Sequence, residues 1–197
     1  MAGARPRSDI GARLLGLGAA PAPDLTSELG SRSFLPVPEG EISIDDPRAA
    51  DVRELLERHL EFANLHSPPE DIHALDVDGL VDPAVTFFSF RLKGELLGVG
   101  ALKQLEGRHA EVKSMHTAHG ARGRGIGRAM LAHLIGVARD RGFRRLSLET
   151  GSMSGFAPAR SLYASAGFRP CGPFGDYGPS PNSSFMTLPL NDRDLRR

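Results

Sequence analysis

From Glu41 to Leu190 the chain switches repeatedly between a hydrophobic period of two and one near 3.6. EISI reads as a short strand, and Asp46-Pro47 as the N-cap and first position that open the helix ADVRELLERHLEFANL. SPPEDIHALDVDGL is a proline-started helical turn and loop. VTFFSFRL and ELLGVGALKQL alternate as strands joined by a hairpin turn at Lys93-Gly94, and HAEVKSMHT is the next strand. Ile126, Met130, Leu134 and Val137 then repeat at helical spacing, which predicts a helix from about Gly127 to Arg141 closed by Gly142. RRLSLET is a strand, PARSLYASAGF a helix ending at Gly167, and SSFMTLPL a final strand. The order β α (α) β β β α β α β β predicts a single mixed α/β domain of the α+β type over residues 41–197.

Residues 1–40 lack this patterning. They are rich in Ala, Gly, Pro and Arg, a composition expected of a flexible extension. Within the first twenty residues, Arg5, Arg7 and Arg13 against the single acid Asp9 also match the bias of a transit peptide, but no cleavage signature accompanies them.

Composition narrows the class. A chain of 197 residues with 40% apolar content supports one sizeable core. Twenty-four basic residues balance twenty-four acidic ones, so the whole chain exerts no strong pull on nucleic acid or an anionic membrane. No apolar run approaches bilayer length, and neither kind of partner is expected. The sole cysteine, Cys171, excludes an intrachain disulfide and fits a reducing, cytoplasmic setting. His116 and His119 have no cysteine or acid cluster beside them in sequence, so no metal site is expected.

Charge is instead segregated locally. From Gly120 to Arg145 seven arginines face one acid, Asp140, whereas from Glu41 to Asp82 twelve acids face three arginines. Within the basic segment lies HTAHGARGRGIGRAML, a glycine-rich loop between a strand and a helix. It lacks the Gly-Lys-Ser/Thr ending of a Walker loop, and Arg128 and Met130 stand where a dinucleotide fingerprint needs its last glycine. What remains is Arg122-x-x-Gly125-x-Gly127, which frees the backbone to approach an anion at the positive end of a helix.

That spacing, the following helix, RRLSLET and then LYASAGF at Leu162 to Phe168 resemble the GNAT superfamily of acetyl-CoA-dependent N-acetyltransferases. EVKSMHT, LSLETGS and FAPARSLYASAGFRPCGPFGDYGPSPNSSFM are similar to a branch of small bacterial members. The resemblance implies a central, mostly antiparallel sheet with helices on both faces and a fourth and fifth strand that splay apart. It implies that acetyl-CoA lies in the splay: its pantetheine arm on the backbone of Met115, His116 and Thr117, its pyrophosphate on Arg122, Gly123, Arg124, Gly125, Ile126, Gly127 and Arg128. Tyr163 stands at the family's general acid, its phenol protonated at neutral pH and able to supply the departing thiolate with a proton. Ala159 fits the cofactor side, while Phe156 occupies a cofactor-contact position where the family often has asparagine. An amine must also lose a proton, for which Glu149 is preferred, with Glu111 and a water relay as alternatives.

The acceptor side is less legible. The resemblance places it between the first helices and the C-terminal loop. Ser67, Glu111, Lys113, Tyr177 and Phe185 are its candidates, although Glu111 and Lys113 point to one sheet face and equally suit a structural ion pair. A small-molecule primary amine is the expected acceptor, with a peptide or protein amine and a silent CoA-binding regulator as alternatives. A homodimer is compatible with the resemblance.

Overall fold

The computed structural model describes residues 39–66, 68 and 76–190. Most of the N-terminal extension, Ser67 and the stretch 69–75 lie outside the described residues. Seven strands, β1 Glu41–Ile44, β2 Val85–Leu92, β3 Glu95–Gln104, β4 His109–Thr117, β5 Arg145–Gly151, β6 Arg169–Pro170 and β7 Ser183–Pro189, form one sheet in the order β1-β2-β3-β4-β5-β7-β6. Each pairing is antiparallel except β4 with β5, which is parallel. The helices are α1 Ala50–His66, α2 Val77–Leu80, α3 Ile126–Asp140 and α4 Ala157–Ser165.

The period of two sorts the strands into two buried faces. Phe87, Val99 and Ala101 pack under Val52, Leu55 and Leu56 of α1 and Leu80 of α2. Their neighbours Phe88, Phe90 and Leu102, with Ala110, Val112, Leu146 and Leu148, pack under Ile126, Met130, Leu131 and Leu134 of α3. Burying each of these large α3 side chains contributes about 1.5–3 kcal/mol, far more than helix propensity supplies. Helices therefore cover both faces, as the family resemblance implied.

Local chemistry sets the element ends. Lys93 and Gly94 both take positive φ (50° and 85°), which matches a tight hairpin to the twist of its strands. Gly142, at φ 75°, ends α3 in a Schellman motif: Phe143 N donates to Ala138 O and Gly142 N to Arg139 O. The α1 start differs from expectation. Asp46 does not cap the helix: its carboxylate accepts from Arg48 N at 2.9 Å, closing a turn over Pro47, and α1 begins only at Ala50. That bond uses the carboxylate oxygen, the acceptor that an N-cap would have offered to the first N–H groups of the helix. α2 has a true cap, with Asp76 accepting from Gly79 N at 2.8 Å.

Candidate active site

The parallel pair β4–β5 is short. Its register runs from His109↔Arg145 to Glu111↔Ser147 and goes no further, so the C-terminal halves of both strands separate into a V. A side-chain bond crosses its closed end: His109 Nε2 and Ser147 Oγ lie 2.8 Å apart, with Arg145 Nη2 3.1 Å from His109 Nδ1. Arginine can only donate, so Nδ1 accepts and Nε2 carries the proton given to Ser147.

A bulge then re-aims the open half of β4. Val99 pairs with His116 and Ala101 with Lys113, so Gly100 alone faces Ser114 and Met115 together. Ser114 takes the extra turn at φ 49°, outside the usual range for a residue with a side chain. Alternation inverts at that point. Met115 packs with Met130 and Leu134 around Gly100, whereas His116 faces α1 on the opposite side of the sheet.

The loop after β4 meets α3 at the mouth of the V. Gly123 and Gly125 have φ of 76° and 85°, and a Cβ on either would meet nothing within 4 Å. Gly125 is the N-cap and offers no side-chain hydrogen bond, and the first turn of α3 contains no acid. The first helical N–H groups have no side-chain cap, which makes this helix start a positive cradle that a phosphate fits. Arg122 reaches back from it, with Nε 3.5 Å from Thr117 O and its guanidinium 5.7 Å from the Phe62 ring centroid.

Tyr163 owes its position to the GF that ends its motif. Gly167, at φ 95°, closes α4 in a second Schellman motif in which Phe168 N donates to Tyr163 O at 3.1 Å and Gly167 N to Ala164 O at 3.0 Å. The accompanying apolar contact is Tyr163 with Phe168, ring centroids 6.0 Å apart. Burial, and then the Glu149 carboxylate, raise the Tyr163 phenol well above its usual value, so it retains its proton at neutral pH.

On the α1 face, one polar cluster links three elements. Tyr177, from the loop between β6 and β7, donates to Glu111 Oε1 at 2.5 Å and accepts from Lys113 Nζ at 2.7 Å, with the two β4 side chains 3.5 Å apart. Glu111 and Lys113 are 3% and 8% exposed, so the hydroxyl satisfies charges that water cannot reach. Desolvation lowers the Lys113 ammonium while Glu111 and Glu149 pull it upward. Phe185 stands opposite Glu149 in the β5–β7 register and packs edge-on against Phe174 and at a tilt against Tyr177. A groove of about 380 Å³ lined by Pro173, Pro179, Ser180, Pro181 and Phe185 opens beside this aromatic block.

The sequence profile of the acetyltransferase (GNAT) family matches residues 49–168, more than half of the chain. The chain belongs to the GNAT acetyltransferase family. It is 50% identical over 149 residues to the uncharacterized N-acetyltransferase YsnE of Bacillus subtilis, covering 76% of this chain and 99% of that one. It is 37% identical over 155 residues to the IAA acetyltransferase of Azospirillum brasilense, 78% of this chain and all of that one. Among solved structures, one from Klebsiella pneumoniae assigned to the acyl-CoA N-acyltransferases is 28% identical with a TM-score of 0.65, covering 78% and 99% of the two chains. The chain is accordingly an acyltransferase of mixed α+β fold.

Within this GNAT chain the predicted residues divide into two groups around the V. Met115, His116 and Thr117 line its β4 lip, Arg122 to Arg128 its mouth, and Glu149 lies on β5. Ala159 packs on the α3 side of the core. Glu111, Lys113, Tyr177 and Phe185 gather on the α1 face. Phe156 joins an aromatic cluster with Phe62 (5.3 Å) and His66 (6.1 Å), and its ring fills the space a Cβ on Gly151 would need. Arg160 donates to Gly151 O at 2.6 Å and Met153 O at 2.9 Å and so pins the end of β5.

Sequence reasoning missed the roof. His59, Phe62 and His66 continue the stripe begun by Val52, Leu55 and Leu56, and reach His116, Arg122 and Phe156 respectively. The signal was present as spacing: positions 59, 62 and 66 continue the helical period of 52, 55 and 56.

Proposed function

We propose that this chain transfers an acetyl group from acetyl-CoA to the primary amine of a small molecule. The observation that carries the reading is the combination of an unpaired β4 edge behind a bulge with an uncapped, acid-free helix start at its end. Bound there, acetyl-CoA supplies the activated acyl group. The N–H groups of Gly125, Ile126 and Gly127, helped by Arg122, Arg124 and Arg128, hold its diphosphate. The backbone of Met115 to Thr117 orients the pantetheine arm and polarises the thioester carbonyl.

Tyr163, raised above its usual pKa and fixed by its Schellman motif, gives its proton to the sulfur as it departs. Glu149 acts on the other lip: its charge raises Tyr163, Lys113 and Tyr177, which supports a role in which it draws the acceptor's ammonium and takes its first proton toward water. Phe174, Tyr177 and Phe185 form the apolar wall against which the acceptor's body lies. The IAA acetyltransferase relative is consistent with a small-molecule rather than a protein acceptor.

The test is release of free thiol from acetyl-CoA across amino acids, polyamines, arylalkylamines, aminoglycosides and short peptides. Turnover confined to one small-molecule class supports the reading. Turnover confined to peptides moves the acceptor to the protein class, and tight acetyl-CoA binding without turnover of any amine points to a regulator.

A further inference from the structure

The roof holds a pair of titratable groups that the transfer chemistry above leaves unused. His59 of α1 and His116 of β4 place their Nδ1 atoms 3.2 Å apart, with ring centroids separated by 5.0 Å. They are 57 positions apart in sequence and meet only because the Ser114 bulge turns His116 toward α1. Met115 and Thr117, the backbone positions assigned to the pantetheine arm, flank His116 directly.

Chemistry fixes the pair's protonation pattern. Two bare Nδ1 lone pairs at this distance would repel, and two protonated ones would clash, so one ring is the Nδ1–H tautomer and the other the Nε2–H tautomer. Such a pair has a proton acceptor at one outer nitrogen and a proton donor at the other. Burial holds both rings neutral, His59 near 4 and His116 near 3, and the neighbouring cations Lys113 and Arg122 push the same way.

Resting on the acetyl-transfer reading, we infer that His116 and His59 form a two-ring proton relay that carries the acceptor's second proton from the V to solvent. As the neutral amine nitrogen bonds the acyl carbon, the carbon–sulfur bond breaks. Nitrogen passes one proton to His116 Nε2, His116 Nδ1–H passes its proton to His59 Nδ1, and His59 Nε2–H releases one to water. Sulfur meanwhile receives the Tyr163 proton, which solvent replaces. A nitrogen already bonded to the acyl carbon is a much stronger acid than a free ammonium, so weakly basic imidazoles suffice. Water entering after product release returns both rings to their starting tautomers. His116 is the ring that touches the acceptor; His59 is a positioning and relay residue.

Two measurements test the relay. Long-range proton–nitrogen NMR of the ligand-free protein reads the tautomers without any turnover, and opposite tautomers at His59 and His116 are expected. His59→Asn keeps an amide oxygen near the Nδ1 position, which accepts from His116 Nδ1–H as His59 does, but it cannot relay. With the amine that turns over fastest in the panel, it is expected to lower kcat at least about tenfold while leaving acetyl-CoA affinity by calorimetry within twofold. Added imidazole is expected to restore turnover in His59→Ala, which a purely structural role would not allow. Identical tautomers, or His59→Asn turning over at the parent rate, overturns the relay and leaves the transfer reading intact. Absence of turnover for every amine in the parent enzyme overturns the transfer reading instead, whatever the tautomers show.

Discussion

The two sides of the V are built differently. The loop and helix start at its mouth are made of backbone: two glycines at positive φ, free helical N–H groups and an unpaired strand edge. The α1 face is made of side chains brought from three distant segments, with His59 and Phe62 from α1, Glu111, Lys113 and His116 from β4, and Tyr177 and Phe185 from the C-terminal third. A backbone site is specified by which residues permit a conformation, so few sequences satisfy it and it suits a constant ligand. A side-chain site can be rewritten residue by residue, which suits an acceptor that differs between relatives.

Substitutions should separate the two sides cleanly. The largest effect is expected from Gly125→Val. A β-branched residue at φ 85° is strained by about 1–3 kcal/mol and its branch enters the cradle, so acetyl-CoA affinity by calorimetry should fall about 100-fold or more while circular dichroism stays native. Next, Tyr163→Phe should lower kcat about 100-fold with acetyl-CoA affinity nearly unchanged, because the lost group acts only as sulfur departs.

Tyr177→Phe breaks the acceptor side alone. It leaves the Glu111–Lys113 pair short of its shared hydroxyl, so thermal or urea unfolding should show a loss of about 1–3 kcal/mol. The acceptor KM should rise with the acetyl-CoA KM constant.

A smaller effect comes from pH. His59 and His116 are held neutral in the fold at values below those of the unfolded chain, so the unfolded state binds more protons between about 4 and the ordinary histidine value of 6.5. Stability is full above 6.5 and declines as pH falls through that window. In His116→Asn the decline should be shallower, as read by melting temperature between pH 7 and 4.5.

The same contrast explains what could be read from sequence. The loop was legible because Gly123, Gly125 and Gly127 and the motif around Tyr163 encode local geometry within a few positions of one another. The strands and helices were legible for the same reason, apart from the Asp46 turn, where one side-chain bond decided the boundary. The Tyr177 bridge and the His59–His116 pair span 57 to 66 positions and depend on a bulge at Ser114 that no residue type announces. Simple alternation would have sent His116 into the α3 core. Phe156, an apparent departure from a cofactor contact, makes sense only beside Phe62 and His66.

Amide hydrogen exchange with and without acetyl-CoA, resolved residue by residue, tests the central claim most directly. The account predicts new protection at Met115 to Thr117 and at Gly123 to Arg128, with β2 and β3 unchanged. Tight binding that leaves both segments exchanging as before would contradict it.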